Sequence, residues 1–336
     1  MINGFNSNLN EGFKLEKKDL NKLLNALRKH GQIIGPKKMG KWLRMELIRD
    51  ASEIEFKGIS WFTSKKHVFP EKQTLFKYNG NKIEKYSYFP KKVLFGLRMC
   101  DLNAFKINDR LFLEQSPPNE NYRQFRENLT LVGLFCDEVQ DKYCFCSSMD
   151  LTHYYDLCLF DKGTFFHIKS GSTKGDKIIE KLKLKLDKPY FKELPEGGLK
   201  LSTKQIGDLY ENQIWQKGVD DCLSCGDCTT LCPTCLCFDV QDEPNIDLKS
   251  GVRKVKWDSC MYKDFTLVAG EHVYRNTRTN RFKHRIYHKL DYYPKKFDGE
   301  SMCTGCGRCI RGCPTKIDWV GLVNEMVDEK CEVKQK

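Results

Sequence analysis

The first periodic signal along the chain is a leucine stripe. Leu20, Leu23, Leu24 and Leu27 recur at helical spacing, and the stripe stops before Gly31. Apolar positions three and four apart share one face of a helix, and a glycine just past the last of them is a common stop, so an amphipathic helix packed on a core is expected there. From about Lys91 to Lys169 the texture changes to short β-rich runs, VLFGL, TLVGLF, YYDLCLF and TFFHI, separated by polar, helix-compatible stretches. That alternation predicts an α/β domain. Gly171 to about Gln216 is rich in lysine, holds Gly197 and Gly198 in tandem, and reads as surface helix and connector. From Asp221 onward, periodicity gives way to dense Cys, Gly and Pro, the mark of a loop-rich fold organised by bound metal, before a last helix is expected from Trp319 to about Lys330. The expected architecture is an N-terminal α/β domain over residues 1–215, followed by a mainly α-helical, loop-rich module over residues 216–336 with a long insert at about 238–300.

Composition supports a folded chain and narrows its setting. With 336 residues, 40% of them hydrophobic and 21 Phe plus 14 Tyr, there is material for cores of ordinary size. The longest apolar stretch, Leu129 to Cys136, is too short to span a bilayer, and MINGFNSNLNEGFKLEKK lacks the apolar run of an export signal. A cytoplasmic protein with no membrane segment is expected, and there 17 cysteines read as metal ligands before disulfides. The net charge of +12 is uneven: His272 to Lys296 holds eight Lys or Arg and one acid, Asp291. Such a run is either a solvated basic loop or a docking surface for an acidic partner protein; no nucleic-acid recognition motif accompanies it.

The chemistry lies in a repeated motif. Cys222, Cys225, Cys228 and Cys232 before Pro233 give C-x2-C-x2-C-x3-C-P, and Cys303, Cys306, Cys309 and Cys313 before Pro314 give it again. The short spacings let three thiolates of one loop face three irons of a cubane, while the fourth Cys serves the neighbouring cluster, as in two-cluster ferredoxins. The expected ligand sets are therefore Cys222, Cys225, Cys228 and Cys313 for one [4Fe–4S] cluster, and Cys303, Cys306, Cys309 and Cys232 for the other. Crossed ligation keeps the two clusters close enough for electrons to hop. Gly226, Gly305 and Gly307 would let backbone N–H groups approach the sulfurs and tune the potentials. Zinc sites pair two cysteines with two distant ligands, which is not this pattern.

Eight further cysteines lie outside these sets and before the final helix. Cys235 and Cys237 in CPTCLC and Cys260 in WDSC lack a completed fourth ligand and read as buried thiols packed near a cluster. Cys100 in GLRMCD, Cys136 in GLFCDE, and Cys144 with Cys146 in YCFCSS are enough for a third [4Fe–4S] cluster; a four-cysteine zinc site or ordinary buried thiols are the alternatives. Cys158, inside a predicted strand, reads as core. No catalytic residue is assigned: Asp101 and Asp109 read as structural, and no phosphate-binding glycine loop or nucleophile elbow is present.

These residues carry a family resemblance. CLSCGDCTTLCPTCLCFDVQD, RKVKWDSC, LVAGEH, NRFKHRIYHK and MCTGCGRCIRGCPTKIDWVG, with the earlier GLRMCDLNAFKINDRLF, RENLTLVGLFC and YCFCSS, resemble the iron–sulfur β subunit of cytoplasmic sulfhydrogenases and the A subunit of anaerobic sulfite reductases. The resemblance implies an electron relay between a flavin subunit, carrying FAD and oxidising NAD(P)H, and a catalytic subunit with sirohaem or NiFe chemistry. FCSSM, the chain length and the PTKID ending lean toward the sulfite reductase branch. The alternatives are the β subunit of a soluble NAD(P)-linked NiFe sulfhydrogenase and a self-contained flavin or thiol redox enzyme.

Overall fold

In the computed structural model, which describes residues 12–188 and 190–334, the leucine stripe is the helix Leu20–Arg28, with all four leucines buried. Residues 1–11, part of the stretch read above for an export signal, lie outside the described residues. Among the described residues no helix is long and apolar enough to cross a membrane. The chain forms two interleaved compact units. One comprises the chain up to Val68, Tyr88–Asp141 and Leu151–Glu196; the other comprises Phe69–Ser87, Lys142–Asp150 and the chain from Gly197 onward.

The first unit is an α/β body on an eight-stranded mixed sheet. Its strand order is Lys185–Asp187, Gly12–Glu16, Phe165–Ser170, Leu157–Asp161, Leu129–Leu134, Lys92–Leu97, Gln32–Met39 and Trp42–Leu47. The four strands from Leu157–Asp161 to Gln32–Met39 run parallel, and every pairing outside them is antiparallel. Leu129–Leu134 is buried at every position and Lys92–Leu97 at all but its first. Both faces are covered, so these strands read as continuous apolar runs and not as alternation. The helices Met99–Leu113 and Glu120–Glu127 are joined by a buried ion pair, Arg126 Nε to Asp109 Oδ2 at 2.8 Å, and Tyr122 Oη donates to Asp109 Oδ1 at 2.6 Å. Asp109 is thus structural, its charge matched inside the core.

His67 in the same unit is buried, and its Nε2 has no hydrogen-bond partner among the described residues. Burial first, then the positive charges of Lys92 and Lys66, push its pKa down to about 3. The folded chain holds this imidazole neutral, whereas the unfolded chain protonates it near its ordinary value of about 6.5. The unfolded state therefore binds the extra proton, and the stability of the neutral ring, complete above about pH 6.5, is lost as pH falls toward 3, by up to about 1.4 kcal/mol per pH unit. His67→Leu is expected to flatten the decline of the denaturant midpoint below pH 6; superimposable declines would refute this account.

The second unit departs from the mainly helical module expected. It contains a four-stranded antiparallel sheet ordered Phe238–Pro244, Ser250–Trp257, Lys72–Asn79 and Lys82–Lys85. The insert after the first motif thus begins as a β-hairpin, completed by a second hairpin drawn from residues 72–85.

The basic segment also needs correction. It is largely helix, Arg278–Tyr287 continuing through the widened turn His288–Tyr292 into Tyr293–Lys296, and Arg281, Lys283, Arg285 and Lys289 are buried. Arg281, Arg285 and Lys289 are four residues apart, so they share one face, which points inward. Their polar ends meet protein acceptors there: Arg281 Nε donates to Met261 O at 2.9 Å, Arg285 Nη2 to Cys228 O at 3.1 Å, and Lys289 Nζ to Thr234 Oγ1 at 3.0 Å. Lys283 Nζ donates to Tyr210 O at 2.6 Å. Half of the charge run is therefore neither a solvated loop nor a docking surface.

Candidate iron–sulfur centres

The two motif loops are built alike. Gly226 and Gly307 adopt φ of 83° and 69°, and each opens a one-turn helix, Asp227–Thr230 and Arg308–Arg311. A left-handed residue at that point costs glycine little and turns the chain so that thiols on both sides of it converge. Two residues upstream, Ser224 and Gly305 are also left-handed, and their amides point back at the first thiol of each motif, Ser224 N to Cys222 Sγ at 3.4 Å and Gly305 N to Cys303 Sγ at 3.5 Å. The fourth thiols match as well: Cys232 Sγ lies 3.4 Å from Thr234 Oγ1, and Cys313 Sγ 3.4 Å from Thr315 Oγ1. Amide and hydroxyl donors to sulfur favour its thiolate form and raise the potential of a bound cluster.

Around the first motif lies a cavity with about 520 Å³ of empty space, its open mouth included, lined by Cys222, Cys225, Cys228 and Cys313 together with Arg285 and Trp319. The second motif thus contributes a thiol, that of Cys313, to the lining of this cavity. Cys309 also borders this cavity, and Trp319 Nε1 donates to its sulfur at 3.4 Å. Cys228 lies close enough to Cys309 for their charges to interact, as Cys303 does to Cys309 and Cys232. The thiols of the two sets are therefore neighbours.

The donor set fits iron–sulfur clusters. Burial first, with neighbouring cysteines adding to it, pushes the Cys228 and Cys303 thiols up to about 12, so bare thiolates are unfavourable there and need opposing positive charge. Bound irons would supply it, and would carry the electrons. Among the described residues no three His, Cys, Asp or Glu side chains converge closely enough for a single metal ion. Thiols held apart in this way suit a multi-iron cluster, which takes one thiolate per iron, better than zinc.

A family profile described as a 4Fe-4S dicluster domain matches residues 221–317, a span that includes both motifs. Over 332 residues the chain is 30% identical to the sulfhydrogenase 2 subunit beta of Pyrococcus furiosus, covering 93% of this chain and 97% of that protein. The chain belongs to the sulfhydrogenase β-subunit family. No solved structure matches it. For this member of the family, the dicluster assignment agrees with the doubled loop geometry: two [4Fe–4S] clusters, held in the second unit.

The remaining cysteines of this β-subunit relative that precede the final helix fall in three places. Cys144 and Cys146 lie in the second unit, against the second motif: Cys146 Sγ is 3.3 Å from Gly305 O, Cys144 Sγ 3.9 Å from Cys306 O, and Phe145 N donates to Gly305 O at 2.8 Å. Cys100 and Cys136 lie in the first unit, after the carboxyl ends of two adjacent parallel strands. Cys100 is buried in the first turn of Met99–Leu113, and Cys136 is close to Cys158, a core residue whose thiol burial pushes well up. The four cysteines read together in the sequence are thus divided two and two between the units.

The third place is where sequence reasoning missed a grouping. Cys235, Cys237 and Cys260 come together beside Cys232. The only sequence signal for it was the paired strand pattern of FDVQD and RKVKW on either side of the insert's turn.

Proposed function

We propose that this chain is the electron-transfer subunit of a larger oxidoreductase, passing electrons through its two [4Fe–4S] clusters between a flavin-bearing, NAD(P)H-oxidising partner and a catalytic partner. The observation that carries this reading is the neighbouring pair of four-thiol sets, with Cys313 of the second motif lining the cavity of Cys222, Cys225 and Cys228. The proposed ligands are those three with Cys313, and Cys303, Cys306 and Cys309 with Cys232. Two clusters at such close quarters pass single electrons and need no substrate pocket, and no step calls for a general acid or base from this chain. FAD and nicotinamide belong on the partner. For the catalytic partner, the name of the Pyrococcus furiosus relative favours hydrogenase-linked chemistry on a NiFe subunit. The FCSSM and PTKID segments favour a sirohaem subunit that reduces sulfite.

The chain purified alone under anaerobic conditions is expected to take up at least about two electrons from a strong reductant, one for each of the paired clusters, and to show no turnover with NAD(P)H. Turnover by the isolated chain, or a yellow chromophore released from it by acid, would overturn the relay reading. Nickel or sirohaem in the subunits that co-purify with it decides the branch.

A further inference from the structure

The hairpin inserted after the first motif returns the chain to where it left. Its strands pair residue for residue from Phe238 with Trp257 to Pro244 with Gly251, and at the open end Asp258 N donates to Cys237 O at 3.0 Å. This closure brings Cys260 beside Cys237, with Cys237 and Cys235 both within interaction range of the Cys260 thiol. Cys235 in turn contacts Cys232. Cys235 and Cys260 are 8% and 4% exposed.

The loop carrying Cys260 is tied down on both sides. Thr229 Oγ1 donates to Ser259 Oγ at 2.8 Å, Met261 N donates to Ser259 Oγ at 3.1 Å, Arg281 Nε holds Met261 O at 2.9 Å, and Tyr262 Oη reaches Cys225 O at 3.3 Å. Metal ligands are typically fixed by such an outer layer of hydrogen bonds. The electrostatics point the same way. Arg285 and Lys289 are buried without a carboxylate partner among the described residues, Arg285 Nε has no acceptor, and the negative groups facing both cations are cysteines, Cys235 among them. A buried cation is costly unless negative charge opposes it, and thiolates ligating a metal supply that charge.

We infer that Cys235, Cys237 and Cys260 form a third metal site and hold an iron–sulfur cluster through three thiolates. The three thiols lose their protons as they ligate iron, with ferrous iron, ferric iron and sulfide as the building components, so that no separate oxidant is needed. Cys232 belongs to the neighbouring cluster, so this one is either a three-iron cluster or a cubane whose fourth iron takes water or a small external thiolate. Its place beside Cys232 extends the relay from the second cluster toward the hairpin. The inference stands whichever partners the chain serves.

The test is iron analysis and electron paramagnetic resonance on the full chain, purified anaerobically and reconstituted with ferrous iron, ferric iron and sulfide. The wild type is expected to hold about eleven or twelve irons per chain. Cys260→Ser and Cys237→Ser should each lose about three or four of them and keep the spectrum of the paired clusters. About eight irons in the wild type, or one zinc per chain that Cys260→Ser removes, would overturn the inference. So would a third cluster that survives Cys260→Ser and disappears in Cys144→Ser or Cys136→Ser, the set divided between the units. If the variants do not fold, a wild-type count of about eight irons still overturns the inference.

Discussion

Cys313→Ala is expected to destroy the cluster of the motif it does not belong to. The thiol of Cys313 lines the cavity of Cys222, Cys225 and Cys228, although in sequence it closes the second motif. Its own motif reaches it through the one-turn helix Arg308–Arg311, and Pro314 follows it. A proline there fixes φ and leads the chain away from the loop, so the fourth thiol faces outward from its own set. Cys232 and Pro233 repeat the arrangement, and the Cys303 thiol senses the charge of Cys232. Loss of one of four ligands typically removes a cubane or strips it to three irons, so between about one and four irons should be lost per chain. The decisive comparison is between spectra: Cys313→Ala should match Cys225→Ala, and Cys232→Ala should match Cys306→Ala. If Cys313→Ala instead matches Cys306→Ala, each motif serves its own cluster and the crossed arrangement is wrong. Electron flow from reductant to a partner should fall by orders of magnitude in all four variants, because a relay with one member missing has no alternative route in this unit.

What was legible in the sequence followed from local spacing. The motif cysteines sit within a dozen residues of one another, so their convergence depends on a few turns whose glycines are visible in the sequence. The strands Lys92–Leu97 and Leu129–Leu134 were legible because burial on both faces leaves an unbroken apolar run. The four-stranded sheet was not, because Lys72–Asn79 pairs with Ser250–Trp257 across most of the chain and neither strand alone shows which partner it takes. The contact of Cys260 with Cys237 depends on that same hairpin, so the grouping of the leftover cysteines was hidden with it. The basic segment misled for another reason. Charge counts carry no phase, and only the four-residue spacing of Arg281, Arg285 and Lys289, read as one face of a helix, separates a buried cationic row from a solvated loop.

That row underlies the second large effect. Arg285 is buried with Cys228, Cys309, Cys235 and Cys232 around it, and Lys289 with Cys232, Cys235 and Cys303. Burial opposes both charges, and negative charge on the surrounding sulfurs, which bound iron would fix there, favours the protonated forms. A fixed positive charge beside a cluster favours the reduced state, which carries one more electron. In a medium of effective dielectric about 20, a unit charge at a separation on the order of 7 Å contributes about 2 kcal/mol, or roughly 100 mV for a one-electron couple. Arg285→Met should therefore lower the potentials of both clusters, because it faces thiols of both sets, whereas Lys289→Met should act mainly on the cluster of Cys303 and Cys232. Arg285→Lys keeps the charge and should stay near the wild-type potential, which separates an electrostatic role from a packing one. Potentiometric titration followed by electron paramagnetic resonance measures all three; potentials unchanged within about 20 mV in Arg285→Met, or a shift as large in Arg285→Lys, would rule the charge out as the cause. Stability should respond with the opposite sign in the two metal states. In the iron-free chain Arg285 is a buried cation facing neutral thiols, so Arg285→Met should cost little there or even stabilise the unit. In the iron-loaded chain the same substitution removes the charge that balances the clusters, and iron should be lost faster to a chelator.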